Sequence, residues 1–398
     1  MSRFKTLIIF LLLTAIWSAF FSTVKFFLWG ELSNTLQPNL QTISGYLSLG
    51  GVFAYLVGGA IAYTFLKKYV LFVVSTLSLL FVYYAYNVGF NSEFSLAIVL
   101  SFLGILYGLW SVVKNILISV EIKKTGLPDT TVNALVGIAF VIFIIFGSIL
   151  GSILFEKLGH NGYYVIMGML TVTSILSLFL NYDQISLQHL LKNGIKVYYY
   201  ERKGKFINSM KDYIPDVKYI LKKYYKVILT SSLIWSISTI VSQQAVEYSV
   251  NNFGKDPSGA AFVLLFSAVG VIIGNIISVK MDTNRWKYFK IFNILFAIFV
   301  FSLPFASINF SYISAIAFII GVFFGIASNL IDAYFFRKIG EENKKEYGSS
   351  TYGLILSLVI FIMMFFSSAI SNHFSYTVLM IILGSIVLVL SFISFQNN

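Results

Sequence analysis

The sequence predicts an all-α integral membrane protein: twelve transmembrane helices in two pseudo-symmetric six-helix bundles, with both termini in the cytoplasm. Three observations carry this. Of the 398 residues, 58% are hydrophobic and only 11% charged, against about a quarter charged in soluble domains. Apolar runs of bilayer-spanning length, about 20 residues, recur twelve times along the chain. A pattern in the fourth run also returns in the tenth.

In order, the runs fall at about 6–29, 44–66, 69–88, 95–120, 132–156 and 162–181, then at 226–250, 259–280, 288–306, 312–336, 350–370 and 374–395. They define an N-terminal bundle (1–181), a basic central loop (182–225) and a C-terminal bundle (226–398). Arg3 and Lys5 precede the first run as in a signal peptide, but its length and the lack of small residues at a cleavage site favour a retained span. The echo is Gly104-Ile-Leu-Tyr-Gly108-Leu-Trp-Ser111, followed by Lys114 and Asn115, against Gly321-Val-Phe-Phe-Gly325-Ile-Ala-Ser328, followed by Asn329 and Asp332.

Charge sets the orientation. With the N-terminus inside, 24 of the 28 lysines and arginines fall in cytoplasmic segments, leaving Lys157 and Lys255 outside and Lys25 and Lys114 within spans. One span more or fewer would scramble this positive-inside asymmetry. The net charge of +12 is thus a topology signal. It is not a nucleic-acid footprint, since no folded basic module accompanies it. The Tyr- and Lys-rich central loop is expected along the anionic cytoplasmic leaflet. Localisation follows as a multi-pass protein of the inner (plasma) membrane, expected to be monomeric.

Polar side chains mark the candidate site. The first run carries Thr14, Ser18, Ser22, Lys25 and Trp29 on one helical face, and the seventh carries Ser232, Ser236, Thr239, Gln243 and Glu247 likewise. Ionisable groups at membrane depth face protein or a water-filled cavity. We expect a substrate site from Ser18, Ser22, Lys25, Tyr107, Ser111, Lys114, Asn115, Trp235, Thr239, Gln243 and Asn329. Lys25 with Glu247 toward the outside, and Lys114 with Asp332 toward the inside, are expected to act as alternating gates. For either lysine the alternative is snorkelling to the headgroups. Two lysines with few acids favour an anionic ligand, and aromatic rings suit an apolar portion. Coupling to H+ or Na+ needs a carboxylate that changes partner, so Asp332 and Glu247 are the candidates. Small residues (Gly50, Gly51, Ala54, Gly58 and Gly59, Gly147 with Gly151, Gly270 with Gly274) allow close helix approach. They serve either general packing or the seam where the halves rock.

Much chemistry is excluded. Zero cysteines remove disulfides and thiolate metal sites. His160, His189 and His373 stand apart, and no P-loop or G-x-G-x-x-G opens a helix. Neither an enzyme nor a metal or organic cofactor is expected.

Six plus six spans, parallel repeats, cytoplasmic termini and a basic central loop resemble the major facilitator superfamily over the whole chain. That resemblance implies halves that rock around a midplane site, hence secondary transport by alternating access. The superfamily's loop signature is reduced here to Gly59-Ala-Ile-Ala62-Tyr63-Thr-Phe-Leu-Lys67-Lys68, with Tyr63 in place of aspartate, and to Gly274, Asp282 and Arg285 in the second half. Within the superfamily, Trp17-Ser18-Ala19-Phe20, Lys114, Asn133 and Gly147-x-x-x-Gly151 are similar to the lysophospholipid transporter branch. In that comparison Ser22-Thr23 stand for an Asp-Asn pair, and Ser242 for an arginine. This resemblance implies a lysophospholipid-like substrate. The alternative is export or import of another organic anion, such as a siderophore, metabolite or drug.

Overall fold

The computed structural model describes residues 2–32, 40–64, 67–90, 92–126, 129–179, 195–255, 257–260, 262–281, 286–306, 309–342 and 345–392. Twelve helices of 15 residues or more occur among them: α1 (Ser2–Leu32), α2 (Leu40–Thr64), α3 (Lys67–Val88), α4 (Glu93–Thr125), α5 (Asp129–Leu158), α6 (Gly162–Leu178), α7 (Ile195–Phe253), α8 (Phe262–Ser278), α9 (Trp286–Ser302), α10 (Phe310–Glu341), α11 (Lys345–His373) and α12 (Tyr376–Leu390). Among the described residues nine stretches are long and apolar enough to cross a bilayer; one of them, Ala134–Leu178, takes in both α5 and α6, and α8 and α12 are shorter apolar helices. Helices form because a lipid-embedded backbone must satisfy its own hydrogen bonds. Their outward faces expose large apolar side chains such as Phe53, Leu80, Ile98, Ile276 and Ile381. Such surface is a liability in water but suits acyl chains.

The helix partners are duplicated. In the first half α1 packs on α5, α2 on α4 and α3 on α6; in the second, α7 packs on α11, α8 on α10 and α9 on α12. The residue register repeats as well. A side chain at Gly50 would meet the Ser101 carbonyl, as one at Gly270 would meet that of Phe318. Gly104 faces the Leu47 carbonyl as Gly321 faces that of Ser267, and Gly108 approaches Gly51 as Gly325 approaches Val271. The echo in the sequence is therefore one helix contact used twice.

Three hydrophobic clusters follow from this. One fills the first half around Trp17, Leu100, Trp110 and Ile166. A second fills the other half around Ile237, Phe296, Phe335 and Met364, and takes Val141 and Ile145 from α5. A small third cluster of Phe26, Leu40, Val246 and Ala260 joins the halves at one end. The main contacts between the halves run along α2 against α11 and α5 against α8.

Of the two readings open for the small-residue motifs, packing within a half accounts for most: Gly147 and Gly151 lie on the Ala19 and Thr23 carbonyls of α1, and Gly270 and Gly274 on those of Phe318 and Val322 of α10. Of the small residues singled out, and among the described residues, only Gly51 faces the other half, at Ser357. Tight packing holds each half rigid internally, where backbones approach most closely. One expectation needs correction: much of the central segment is helix and not loop. From Ile195 it is helical and continues without interruption through Pro215 to Phe253, so the seventh span begins as an extension well before 226. Residues 182–194, Asp282, Arg285 and the side chain of Asn133 lie outside the described residues.

Candidate functional site

The carboxylate of Asp332 on α10 organises the first cluster. Its Oδ1 accepts from Ser231 Oγ at 2.6 Å and from Tyr352 OH at 2.8 Å, and its Oδ2 from Trp235 Nε1 at 3.0 Å. Ser231 and Trp235 lie one turn apart on α7, Tyr352 on α11, so all three donors belong to the same half as the acid. Three donors are what a carboxylate needs away from water, where an unpaired charge costs several kcal/mol. Ser231 Oγ and Tyr352 OH also lie 2.9 Å apart. The two hydroxyls and Oδ1 form a three-sided ring with only two hydroxyl protons among its three edges.

Across from it stands Lys114 on α4. Its ammonium lies 5.6 Å from the Trp110 ring and 5.0 Å from that of Phe140, within favourable cation–π range. It feels the field of Asp332, yet no direct ion pair joins the two, and among the described residues Lys114 meets no hydrogen-bond acceptor. Lys114, Asn115 and Asp332 each keep some accessible surface although they lie deep among the helices.

Aromatic rings line the α4 side. Tyr107 stacks on Phe21 with centroids 3.9 Å apart, and Trp110 on Trp17 at 5.4 Å. Ser111 is buried beside the Tyr55 side chain of α2. The structure thus brings Tyr107, Ser111, Lys114, Asn115, Trp235 and Asp332 into one region. The duplicated register makes Asn115 the counterpart of Asp332, and Lys114 that of Ile331. Lys114 and Asp332 are therefore not symmetry-related, as a pair of twin gates would suggest.

The other expected residues go elsewhere. Ser18 Oγ donates to the Thr14 carbonyl at 2.6 Å, and Thr239 Oγ1 to that of Trp235 at 2.8 Å. Ser22 meets Ser148 of α5 at 2.6 Å, and Asn329 donates to Ser278 of α8 at 2.6 Å. The serines and threonines of both stripes that bond along their own helices satisfy themselves on the turn below. At the end of the bundle where α2 begins, Glu247 Oε1 accepts from the Leu40 N–H at 2.8 Å, and Gln243 Nε2 donates to Ser44 at 3.0 Å. Glu247 of α7 thereby caps the N-terminus of α2 in the opposite half, where unpaired N–H groups and the helix dipole both favour a carboxylate. Lys25 lies near the Phe26 ring, at 5.6 Å, within the field of Glu247 but without a direct ion pair.

Sequence reading missed Ser231, Tyr352, Tyr55 and Phe140. Ser231 precedes the polar stripe by one residue, and nothing in an isolated span separates a donor tyrosine from an interfacial one.

Two six-helix units with matching helix partners are a multi-pass membrane fold that this chain shares with solved transporter structures. The similar solved structures are transporters, FucP and XylE among them described as members of the major facilitator superfamily. The nucleoside transporter NupG aligns with a TM-score of 0.66 at 13% identity over 98% of each chain. The E. coli fucose:proton symporter FucP aligns at 0.64, 12% identity and 98% of each chain. The proton:xylose symporter XylE aligns at 0.63 and 14% identity, covering 96% of this chain and 94% of its own. At such identities the likeness is one of fold. No protein-family model and no curated protein matches the sequence.

Proposed function

We propose that the chain is a secondary transporter of the inner (plasma) membrane, both termini cytoplasmic, moving a small amphipathic anion by alternating access between its halves. The supporting observation is Lys114: a deep ammonium with aromatic faces beside it and, among the described residues, no acceptor, while the nearby carboxylate is already held by three donors. A ligand oxygen supplies what Lys114 lacks. Because Asp332 offsets part of that charge, the site suits a monoanion better than a dianion. A lysophospholipid is the first candidate, and a carboxylate metabolite, siderophore or drug the alternative. H+ rather than Na+ is the favoured coupling ion, since a proton on Asp332 supplies the third edge of its ring with Ser231 and Tyr352. The halves 1–181 and 226–398 are the moving bodies of a monomer, linked through 182–225.

The test is a thermal-shift screen of lysophospholipids, organic acids and siderophores on the purified protein. A ligand that binds only the native state at 100 times its Kd adds about 2.7 kcal/mol. Monoanions are expected to raise the melting temperature, and Lys114→Met to abolish the shift. Equal shifts by uncharged ligands in the parent and in Lys114→Met would overturn the assignment.

A further inference from the structure

One backbone carbonyl carries more than its helix asks of it. Tyr55, in the inner half of α2, accepts at its carbonyl oxygen from Tyr213 OH of α7 at 3.1 Å and from Ser350 Oγ of α11. Ser350 belongs to the C-terminal half, and Tyr213 to the part of α7 that runs without interruption into it. Gly58 and Gly59 follow at i+3 and i+4 and bring no side chains to cover that oxygen. The Tyr55 ring lies so close to Gly353 of α11 that any side chain at 353 would overlap it. The Tyr55 side chain in turn lies beside Ser111, one turn before Lys114 on α4.

These contacts form a chain from the candidate ligand site to the seam between the halves. Tyr213 lies in the part of α7 that precedes the span, within the segment read from sequence as a loop. We propose that the Tyr55 carbonyl is the latch of the inner side: Tyr213 and Ser350 hold the halves together there, and Tyr55 ties that closure to the Lys114 site through Ser111. Inward opening requires α2 to leave α11, so both hydroxyl bonds break in that step and are absent from the opened state. They are therefore differential contacts, the kind that sets a population ratio. The outer contacts, Gln243 to Ser44 and Glu247 to the Leu40 N–H, are the opposing set. Tyr55 is a positioning residue in this scheme. Tyr213 gives the central segment a direct hold on the transport cycle, independent of lipid.

This inference rests on the alternating-access reading above, and the experiment separates the two. The chain has no cysteine, so every spin label sits where it is introduced. Labels at Lys67→Cys and Lys287→Cys report the inner side, and labels at Glu93→Cys and Ser311→Cys the outer. Distance distributions by pulsed electron resonance are compared for the parent, Tyr213→Phe, Ser350→Ala and the double variant. A neutral hydrogen bond biases an equilibrium roughly five-fold, and two of them roughly thirty-fold. The double variant is expected to shift the inner pair to longer and the outer pair to shorter distances by about that ratio. Tyr224→Phe, which removes a bond to Glu342 inside the second half, should leave both distributions unchanged. A double variant that melts lower yet keeps the parent's distance ratio would reduce the two bonds to ordinary packing and overturn the latch. If parent and variants all hold a single fixed distance at both pairs, the alternating reading falls and the latch with it.

Discussion

Adding one methyl group at the duplicated helix contact gives a sharp test of the architecture that carries the site. Gly108 on α4 and Gly325 on α10 occupy equivalent places. A Cβ at Gly108 would lie 2.6 Å from the Cβ of Ala54, and one at Gly325 would lie 2.6 Å from the Val271 carbonyl oxygen. An ordinary contact begins near 3.4 Å, so each helix pair must part by about 0.8 Å or distort. Overpacking of this kind costs about 1–3 kcal/mol. Alanine in place of a mid-helix glycine also gains about 1 kcal/mol of helix propensity, which would blur a single measurement. Gly168 on α6 removes the ambiguity, because a Cβ there meets nothing within 4 Å. Gly168→Ala receives the propensity gain without the clash. The difference between Gly168→Ala and either Gly108→Ala or Gly325→Ala is then the overpacking alone, about 1–3 kcal/mol. In a thermal melt of detergent-solubilised protein, Gly168→Ala should melt at or above the parent and the other two several degrees below it. Because α4 and α10 carry Lys114 and Asp332, both destabilised variants should also bind the ligand identified by the thermal-shift screen more weakly. Equal melting temperatures for all three alanine variants would refute the duplicated close contact.

Other perturbations probe the charges. Lys114→Arg should keep part of the ligand-induced thermal shift that Lys114→Met loses, since both cationic side chains donate to an oxyanion; equal loss in the two would place the lysine outside the ligand's reach. Trp235→Phe removes the donor to Asp332 Oδ2, and an unmade bond to a charged acceptor costs about 1.5–3 kcal/mol, to be read as a lower melting temperature. That penalty should shrink in an Asp332→Asn background, and additive losses would deny the coupling. Just past the C-terminal end of α10, burial pushes the Glu342 carboxyl up, but hydrogen bonds from Lys223 at 2.5 Å and Tyr224 at 2.7 Å outweigh it and hold the group below its ordinary value. A depressed carboxyl stabilises the fold above its unfolded pKa, about 4.3, and that contribution disappears as pH falls through the folded value. Glu342→Gln should therefore melt lower than the parent at neutral pH and converge with it in acid.

The membrane class, the apolar runs, the duplication and the charge asymmetry were legible in the sequence because each is a local or repeating pattern. A helix in lipid has no alternative to satisfying its backbone internally, so composition alone settles its secondary structure. The candidate site was half legible. Lys114, Asp332, Trp235, Ser111 and Tyr107 stand out as polar or aromatic groups at membrane depth, and they do gather in one region. Ser18, Ser22, Thr239 and Asn329 have the same signature but spend their hydrogen bonds on neighbouring turns and helices.

Helical spacing tells which residues share a face; it does not tell which helix that face meets. Only the tertiary structure decided that the glycine pairs pack within each half, that Glu247 caps α2, and that Asp332 is held by Ser231, Trp235 and Tyr352. The physical reason is that lipid exerts no hydrophobic force between spans, so partners are chosen by close backbone approach and by hydrogen bonds across helices. Both depend on residues far apart in the chain, and a carbonyl such as that of Tyr55, common to every residue, leaves no mark in the sequence at all.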